Sequence, residues 1–286
     1  MTGVPSPTLR LRRLGLELKR LRELAGLTAD EAATALDCHG SKISRMENGR
    51  SAVRPRDVRD LLARYGVVDR PTFARLEGLA RHGRDRGWWQ DFGDAVAPDY
   101  ADYVSLEAGA VGLDTFEAML VPGLLQSPAY MRAVFAAHPA TLDDAQVDAR
   151  MHVRALRQQA LDRDESPLAL WAVVHEAALR TPVGGRREMR RQLGILRDRA
   201  AQRNITVQAL PLDSGAHAGM HGSFGILRYP EAADLDVVFT EHLTGAFYIE
   251  EPAQVTRYLE TFDRLRANAM SPRATLAFIE QCGEDL

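Results

Sequence analysis

The chain has 286 residues, of which 45% are hydrophobic and 26% are charged, and these fractions are ordinary for soluble globular proteins. This length suits two domains, each large enough to bury a core. No run of about 18 apolar residues predicts a membrane span, and the first residues lack the apolar core of a signal peptide. The two cysteines, Cys38 and Cys282, form no metal or disulfide pattern, which indicates a reducing cytoplasm.

The formal net charge of −3 is unevenly distributed along the chain. Residues 1–65 contain 13 Lys and Arg against 8 Asp and Glu, giving +5, whereas the remaining residues contain 23 against 31, giving −8. A basic amino-terminal region on an acidic remainder would orient the molecule toward a polyanion. Chance variation in an arginine-rich sequence also explains the difference, so charge alone identifies no partner.

The amino-terminal region has the periodicity of a helical bundle. Residues 1–9 are predicted to be a disordered arm, whereas residues 10–82 are predicted to fold. Leucines recur at helical spacing in the first helix, and Gly26 suits the left-handed residue that ends it. Helices are expected at residues 10–25, 28–36, 41–48, from Pro55 onward, and at 71–82.

The second and third of these helices have the pattern of a helix-turn-helix. Thr28 and Glu31 have the spacing of a capping box at the start of the second helix. Ala33 is small where the third helix must cross closely, and Asp37 tolerates the left-handed backbone that the intervening turn requires. Apolar side chains would hold the two helices together: Leu36, Ile43 and Met46.

The other side of the third helix is polar and would face outward. Its residues are Ser41, Lys42, Ser44 and Arg45. Lys and Arg suit guanine edges or phosphates, and Ser suits either. An ordinary solvated helix face shows the same pattern, but here several spacings agree at once. The sequence therefore predicts that the third helix reads double-stranded DNA in the major groove.

The sequence after residue 82 predicts a linker followed by a domain that contains both helices and strands. Residues 83–104 form the expected linker, in which Trp88-Trp89 either pins the linker to the next domain or stacks on a ligand. Within residues 105–286, strands are predicted at 113–120, 168–174, 204–210, 223–229, 235–241 and 246–250. Helices are predicted at 127–138, 143–162, 185–203, 252–270 and 272–281.

Three strands in succession near the end of the chain favour antiparallel pairing. The predicted fold class is therefore multi-domain: an all-α helix-turn-helix bundle followed by an α+β domain with a mainly antiparallel sheet.

The second domain offers no complete catalytic set. His175-Glu176 begins like the zinc-peptidase motif HExxH, but the fifth position is Leu179, so the second ligand is missing. His217 and His221 lie four residues apart, yet glycines interrupt their segment, which favours a flexible loop over a metal site. We therefore expect no enzymatic activity, no metal and no cofactor.

Residues 11–66 resemble the xenobiotic-response-element family of regulators, which have a helix-turn-helix of the phage-repressor type. The matching segments are Leu21-Arg22-Glu23-Leu24-Ala25-Gly26-Leu27-Thr28 and Ile43-Ser44-Arg45-Met46-Glu47-Asn48-Gly49. Ala29 departs from the family pattern, since Gln usually stands there, and Asp37 stands in place of the usual Gly.

That resemblance implies roles for particular residues. Glu47 would form a partly buried, structural salt bridge with Arg22, and Ala33 and Ile43 would be structural as well. The loop after the third helix would contact the DNA backbone or minor groove. The full set of expected DNA contacts is Thr28, Ser41, Lys42, Ser44, Arg45, Arg50, Arg54 and Arg56.

Residues 105–282 resemble the C-terminal domain of unknown function of antitoxin-like and WhiJ-like regulators from high-GC Gram-positive bacteria. The matching stretches are Val121-Pro122-Gly123-Leu124-Leu125-Gln126-Ser127-Pro128-Ala129-Tyr130, Arg154-x-x-Arg157-Gln158 and His175-Glu176-Ala177-Ala178-Leu179-Arg180. The resemblance implies a transcription factor that is often paired with a small partner protein encoded nearby. It supplies neither a ligand nor catalytic residues.

These observations predict a DNA-binding transcriptional regulator in the cytoplasm, associated with the nucleoid. One such helix covers only a half-site, so a homodimer on a double-stranded operator is expected. Two alternatives stay open. One is an antitoxin-like protein whose main role is to bind a small partner protein, and the other is an enzyme with a DNA-targeting head.

Overall fold

The computed structural model of the protein describes residues 9–82, 98–137, 142–229 and 236–286. The chain divides into two compact units, and Tyr100–Gly109 cluster with the amino-terminal unit, whereas Ala110–Leu286 belong to the second. The predicted arm, apart from its last residue, and Trp88-Trp89 lie outside the described residues.

The described part of the first unit is helical. Its helices are α1 Leu9–Leu24, α2 Ala29–Ala33, α3 Gly40–Glu47, α4 Pro55–Arg64, α5 Arg70–His82 and α6 Pro98–Ala108. A 3-10 turn, Thr34–Leu36, extends α2. The sequence predicted the first five helices to within about one residue, because caps and leucine spacing mark their ends.

The core of the first unit joins the inward faces of α1, α3, α4 and α5. Its most buried side chains are Leu14, Leu18, Ile43, Met46, Leu61, Leu62 and Leu76. Leu24 continues the leucine spacing of α1 but is 72% exposed. It is the last residue of α1, and the chain turns away at Gly26, whose φ is +69°.

Helix α6 is an element that the sequence analysis missed. The predicted linker extended to residue 104, and the predicted second domain began at 105, whereas α6 covers Pro98–Ala108. Residues 103–107 are all buried, including the polar Ser105 and Glu107, so the polar positions of this segment do not mark an exposed helix face. Arg12 of α1 forms an ion pair with Asp102, which attaches α6 to the helical bundle.

The described part of the second unit has a six-stranded sheet with the order β3-β2-β1-β4-β5-β6. The strands are β1 Gly112–Glu117, β2 Ala169–His175, β3 Ile205–Leu210, β4 Phe224–Arg228, β5 Val237–His242 and β6 Gly245–Ile249. β1, β2 and β3 pair in parallel, and β4, β5 and β6 continue the sheet antiparallel. The α+β class is confirmed, but the sheet is mixed rather than mainly antiparallel.

Helices link the parallel strands and cover the sheet. They are α7 Pro128–Ala136, α8 Asp144–Gln158, α9 Glu176–Arg180, α10 Arg186–Arg199, α11 Pro252–Asn268 and α12 Pro272–Glu284. The predicted helix ranges omit α9, which has only five residues, although Glu176 has the position expected of a residue that starts a helix after a strand. The prediction also extended the 185–203 helix past Arg199, and it merged the 3-10 turn Gln159–Asp162 with α8.

One face of the sheet packs against α11. Phe116, Val173 and Phe224 of the sheet and Phe262 and Leu265 of α11 belong to the same buried apolar cluster. Side chains alternate between faces along a strand, so Thr115 and Glu117 of β1 lie on the opposite face from Phe116. In the described ranges, no helix is both long and apolar enough to cross a membrane.

Candidate nucleic-acid interface

Helix α3 has one buried face and one open face. Ile43 and Met46 are each 1% exposed and pack inward, as the sequence predicts. Ser41, Ser44 and Arg45 are exposed, and Lys42 is partly exposed. The four predicted base-reading positions therefore share a surface that is available to a ligand. The mixture of two hydroxyls and two cations can donate to base edges and to phosphates.

The turn before α3 is formed as the sequence predicts. Thr28 and Glu31 make both hydrogen bonds of the capping box. Asp37 has φ 47° and ψ 53°, so the left-handed conformation usual for Gly is adopted by Asp. The Thr28 hydroxyl accepts from the Glu31 amide and donates to the Glu31 carboxylate at 2.8 Å. Thr28 is exposed, but its hydroxyl is already engaged in this cap.

The crossing of α2 and α3 depends on a glycine that the sequence analysis did not single out. Ala33 is 1% exposed at the crossing, as predicted. Gly40, the first residue of α3, lies even closer to the other helix, because a Cβ at this position would be 2.1 Å from Asp30 Oδ1. Its lack of a side chain therefore allows α3 to begin against α2. The sequence contained a signal for this role of Gly40, because a glycine directly follows the turn between the two helices.

A buried ion pair ties α3 to α1. The Arg22 Nε donates to Glu47 Oε1 at 2.6 Å, and Nη2 donates to Glu47 Oε2 at 3.0 Å. The Arg22 side chain is 11% exposed and that of Glu47 is 5% exposed. The third donor, Nη1, binds the Leu27 carbonyl at 2.7 Å. This is the pair that the family resemblance implies, and its forked geometry fixes the end of α3 relative to α1.

The surroundings of this pair have little access to water. The hydrogen bond to Glu47 raises the pKa of Arg22, which therefore stays charged. Burial, with a further contribution from Glu47, raises the pKa of Tyr65 above its ordinary value. The Tyr65 hydroxyl is buried and has no hydrogen-bond partner within the described ranges. The salt bridge thus lies in the interior of the bundle rather than on its surface.

The chain leaves α3 through a tight turn. Gly49 has φ +67°, its amide donates to Met46 O at 3.0 Å, and the Arg50 amide donates to Arg45 O at 2.8 Å. These two bonds form a Schellman motif, which needs a left-handed residue at Gly49. Arg50 and Arg54 are exposed in the loop that follows, whereas Arg56, which the sequence predicts in the same loop, is exposed on the second residue of α4. Val53 is 1% exposed and anchors the loop between them.

Helix α1 supports the end of α3 by direct backbone contact. A Cβ at Gly15 would lie 2.4 Å from Glu47 O and 2.5 Å from Met46 O. Both neighbours are backbone atoms, which cannot rotate away. Gly15 therefore sets the distance between α1 and the helix that carries the base-reading side chains.

Gly15→Ala is expected to lower the free energy of unfolding by about 1–3 kcal/mol, because the added methyl forces the two helices apart. Gly194→Ala is the matched control, since Gly194 is also helical and has no atom within 4 Å of an added Cβ. The control should be neutral or slightly stabilising. Urea unfolding followed by circular dichroism checks both variants. Equal stability of the two would show that the close approach of α1 to α3 is not needed.

Two of the candidate histidines of the second unit, His175 and His217, lie side by side. The rings of His175 and His217 lie with centroids 5.4 Å apart, so His217 pairs with His175 rather than with His221. Each Nδ1 accepts from a backbone amide, that of Ala177 at 3.3 Å or that of Gly219 at 3.1 Å. Burial, and then the neighbouring His175, lower the pKa of His217. Among the described residues, no group of three His, Cys, Asp or Glu side chains could hold a metal ion.

Comparison with protein families finds a matching domain family for each of the two units. Residues 13–76 match a helix-turn-helix domain, which covers α2 to α4 and most of α1 and part of α5. Residues 100–281 match DUF5753, a domain of unknown function. This second match covers more than half of the chain, so the protein belongs to the DUF5753 family. No curated protein and no solved structure matches the chain.

The helix-turn-helix match and the open polar face of α3 both indicate that the first unit is a DNA-binding domain. The chain has the DNA-binding domain of a regulator at its amino end, followed by a mixed α/β unit of the DUF5753 family. The xenobiotic-response-element type of the first domain and the WhiJ-like character of the second stay predictions.

Proposed function

We propose that the protein is a sequence-specific transcriptional regulator that binds a pseudo-palindromic operator as a homodimer, in the cytoplasm and on the nucleoid. The proposed second unit is non-enzymatic and senses a small molecule or a partner protein. One observation carries the proposal. Ser41, Lys42, Ser44 and Arg45 stand on the open face of a helix whose other face is buried.

The size of α3 supports the dimer. The helix has eight residues, so it spans about 12 Å, which is enough for a few base pairs. A single copy would therefore read one half-site and bind weakly. Two copies related by a twofold axis would read half-sites about 10 base pairs apart, on the same side of the duplex.

Footprinting on duplexes selected from a random library tests this proposal. We expect two protected half-sites with centres about 10 base pairs apart, or a multiple of that distance. A single short protected segment would contradict the dimer, and failure to select any sequence would contradict the regulator. Sedimentation of the protein with one labelled operator gives the stoichiometry independently.

Affinity should fall steeply as salt rises, because cationic side chains displace counterions from phosphates. Arg50→Gln should weaken binding to specific and random duplexes alike, and it should reduce the magnitude of the log–log salt slope by about 1. Lys19→Gln is the control, since Lys19 is an exposed cation on α1 in the same unit. Equal slopes for Arg50→Gln and wild type would remove Arg50 from the proposed phosphate contacts.

A second candidate is the antitoxin-like role, in which the second unit binds a small partner protein. An open groove of about 400 Å³ between α10 and α12 favours it. Leu193 and Ile279 line the groove beside Arg197 and Glu280, so it offers both apolar and charged contacts. Intact mass spectrometry of the protein purified from its native cells would show a second polypeptide in fixed ratio. The protein alone, with full operator affinity, would argue against this role.

A further inference from the structure

The loop that leads from β3 to β4 is bounded by two glycines. Gly215 has φ +65° and Gly222 has φ +118°, which is a region that glycine adopts without strain. An added Cβ at either position would have no atom within 4 Å, so backbone conformation rather than crowding favours glycine there. Moving loops turn at a few such residues, which absorb large changes of φ and ψ. Residues 215–222, the β3–β4 loop, therefore have a hinge at each end.

The hydrogen bonds of this loop are local. The Gly219 amide donates to His217 Nδ1 at 3.1 Å, the Met220 amide donates to His217 O at 3.3 Å, and the Gly222 amide donates to Gly219 O at 3.1 Å. Within the described part of the chain, none of residues 216–222 has a hydrogen bond to another element. Segments held by few hydrogen bonds open at a low cost in free energy.

Ring and apolar contacts attach the loop to the sheet instead. The His217 ring meets Phe116 of β1 edge-on, with centroids 5.7 Å apart, and it lies 5.4 Å from the His175 ring at the end of β2. Ala218 packs against the apolar cluster that contains Phe116. A Cβ at Gly219 would be 2.4 Å from Phe116 Cε1, so the backbone itself rests on that ring. The loop thus covers the carboxyl end of β1.

The hydrogen bonds of the two imidazoles fix where a proton can be added. His217 Nδ1 accepts from the Gly219 amide, and His175 Nδ1 accepts from the Ala177 amide at the start of α9. An accepting ring nitrogen carries no proton, so the proton of each neutral ring is on Nε2. A second proton must therefore go to Nδ1. On His217 it would remove the acceptor of the Gly219 amide and place two N–H groups against each other.

The closed loop opposes the charged form of His217. Burial, and then the neighbouring His175, lower the pKa of His217 from its ordinary value of 6.5. A group whose pKa is lower in one state than in another shifts the equilibrium toward the second state when it is protonated. Acid therefore favours an open loop, in which water solvates the His217 ring.

The other charged groups around the pair do not offset this effect on His217. Glu176 follows His175 in the chain, but its carboxylate already accepts from Arg180 Nε at 2.5 Å and from the Leu212 amide at 2.9 Å. The titratable side chains on the same segment as His217 are exposed, and they are Asp213 and His221. From β1, and behind it from β4 and α11, the neighbouring side chains are aromatic rings: Phe116, Phe224 and Tyr258.

We propose that the β3–β4 loop is a pH-sensitive latch, which closes over the end of β1 while His217 is neutral and is released by a proton on His217 Nδ1. The released loop turns at Gly215 and Gly222 and uncovers Phe116. Ligands of open α/β sheets commonly bind outside the carboxyl ends of parallel strands, so the latch controls access to such an end. The latch does not depend on DNA binding or on the proposed sensing role.

Nuclear magnetic resonance of the full chain between about pH 8 and pH 5 tests the latch, because histidine titrates in this range. The imidazole nitrogen shifts report the protonation of His217. Amide exchange, corrected for its intrinsic pH dependence, reports the opening of the loop. We expect His217 to titrate below 6.5 and the Gly219 amide to lose protection over the same range. A pKa at or above 6.5, or protection of Gly219 that does not follow the titration, would overturn the proposal.

His217→Asn separates the proton from the backbone contact. The Asn side-chain oxygen can still accept from the Gly219 amide, but Asn takes no proton in this range. Protection of Gly219 should therefore no longer fall with acid. His221→Asn is the matched control, since His221 is an exposed histidine of the same loop, and this variant should lose protection as wild type does. Release by acid that persists in His217→Asn would contradict the latch.

His175→Asn is a second test that leaves the loop's own residues intact. The variant keeps an acceptor for the Ala177 amide and removes the charge that opposes protonation of His217. The midpoint of loop release should therefore move to higher pH than in wild type. An unchanged or lower midpoint, in protein with the circular dichroism spectrum of wild type, would also overturn the proposal.

Thermal stability should change with the same sign. The unfolded chain binds a proton at this position more readily than the closed loop does, so wild type loses stability as pH falls below about 6.5. His217→Asn lacks this loss. Its melting temperature relative to wild type should therefore be higher at pH 5 than at pH 8, and a difference that does not change with pH would count against the latch.

Discussion

Replacing Lys42 and Arg45 together with alanine is expected to lower operator affinity by roughly 30- to 25,000-fold, since each good base contact contributes about 1–3 kcal/mol. Both side chains extend from the open face of α3, and neither belongs to the buried core of the bundle. The loss should be far larger for the operator than for random duplex, because base contacts carry the sequence preference and phosphate contacts do not.

Fluorescence anisotropy with operator and random duplexes, at one fixed salt concentration, measures this ratio. The double variant Arg187→Ala/Arg190→Ala is the control, because it removes the same charge from exposed positions on α10. The control should retain operator affinity, and both variants should keep the circular dichroism spectrum of wild type. A parallel loss on both duplexes would assign Lys42 and Arg45 to phosphates rather than to bases.

Breaking the Arg22–Glu47 pair should cause the largest loss of stability in the first unit. Replacing one partner leaves the other charge buried without its counter-ion, at a cost of about 3–5 kcal/mol. Both side chains are nearly inaccessible to water, so solvent cannot replace the lost partner. The damage would extend to function, because Glu47 is the last residue of α3 and precedes the turn that carries Arg50.

The test compares Arg22→Met and Glu47→Leu with the double variant that carries both changes. Each single variant should unfold at clearly lower denaturant concentration than wild type, whereas the double variant should recover part of the loss because no unpaired charge remains. Hydrogen exchange localises the effect to α1 and α3. Additive losses in the double variant would mean that the two side chains act independently.

Local chemistry made the helix-turn-helix predictable. Gly26, the Thr28–Glu31 capping box and Gly49 mark helix ends, and each acts within a few residues of its own position in the chain. The structure places Gly26 and the capping box as the sequence predicts, and Gly49 has the left-handed backbone that ends α3. The inward positions of α3 followed from helical spacing, because Ile43 and Met46 are three residues apart and face the same side.

The parts that the sequence did not predict depend on distant contacts. Gly15 is ordinary in sequence, and its role follows only from its approach to the carbonyls of Met46 and Glu47. The attachment of α6 depends on Asp102 reaching Arg12, which is 90 residues earlier in the chain. Such pairs leave no local periodicity, so single-sequence reasoning could not find them.

In the second unit, too, features that depend on local sequence were predicted, whereas features that depend on distant contacts were not. The strands were predicted from Val, Ile and Phe content, with ends that differ by at most three residues from the observed ones. The parallel pairing of β1, β2 and β3 was not predicted, since it depends on which strands the intervening helices bring together. For that reason the contact between Arg154 and Gln126 could not be inferred from the sequence, although both residues stood in recognised stretches.

Dimethyl sulfate protection on a selected operator tests the central claim most directly, because the reagent methylates guanine N7 in the major groove and adenine N3 in the minor groove. If α3 enters the major groove, bound protein should protect particular guanine N7 atoms in each half-site. Arg45→Ala, at a concentration that restores occupancy, should leave one of these guanines exposed. Protection of adenine N3 alone, with every guanine N7 reactive, would contradict the assignment of α3 as the helix that reads DNA.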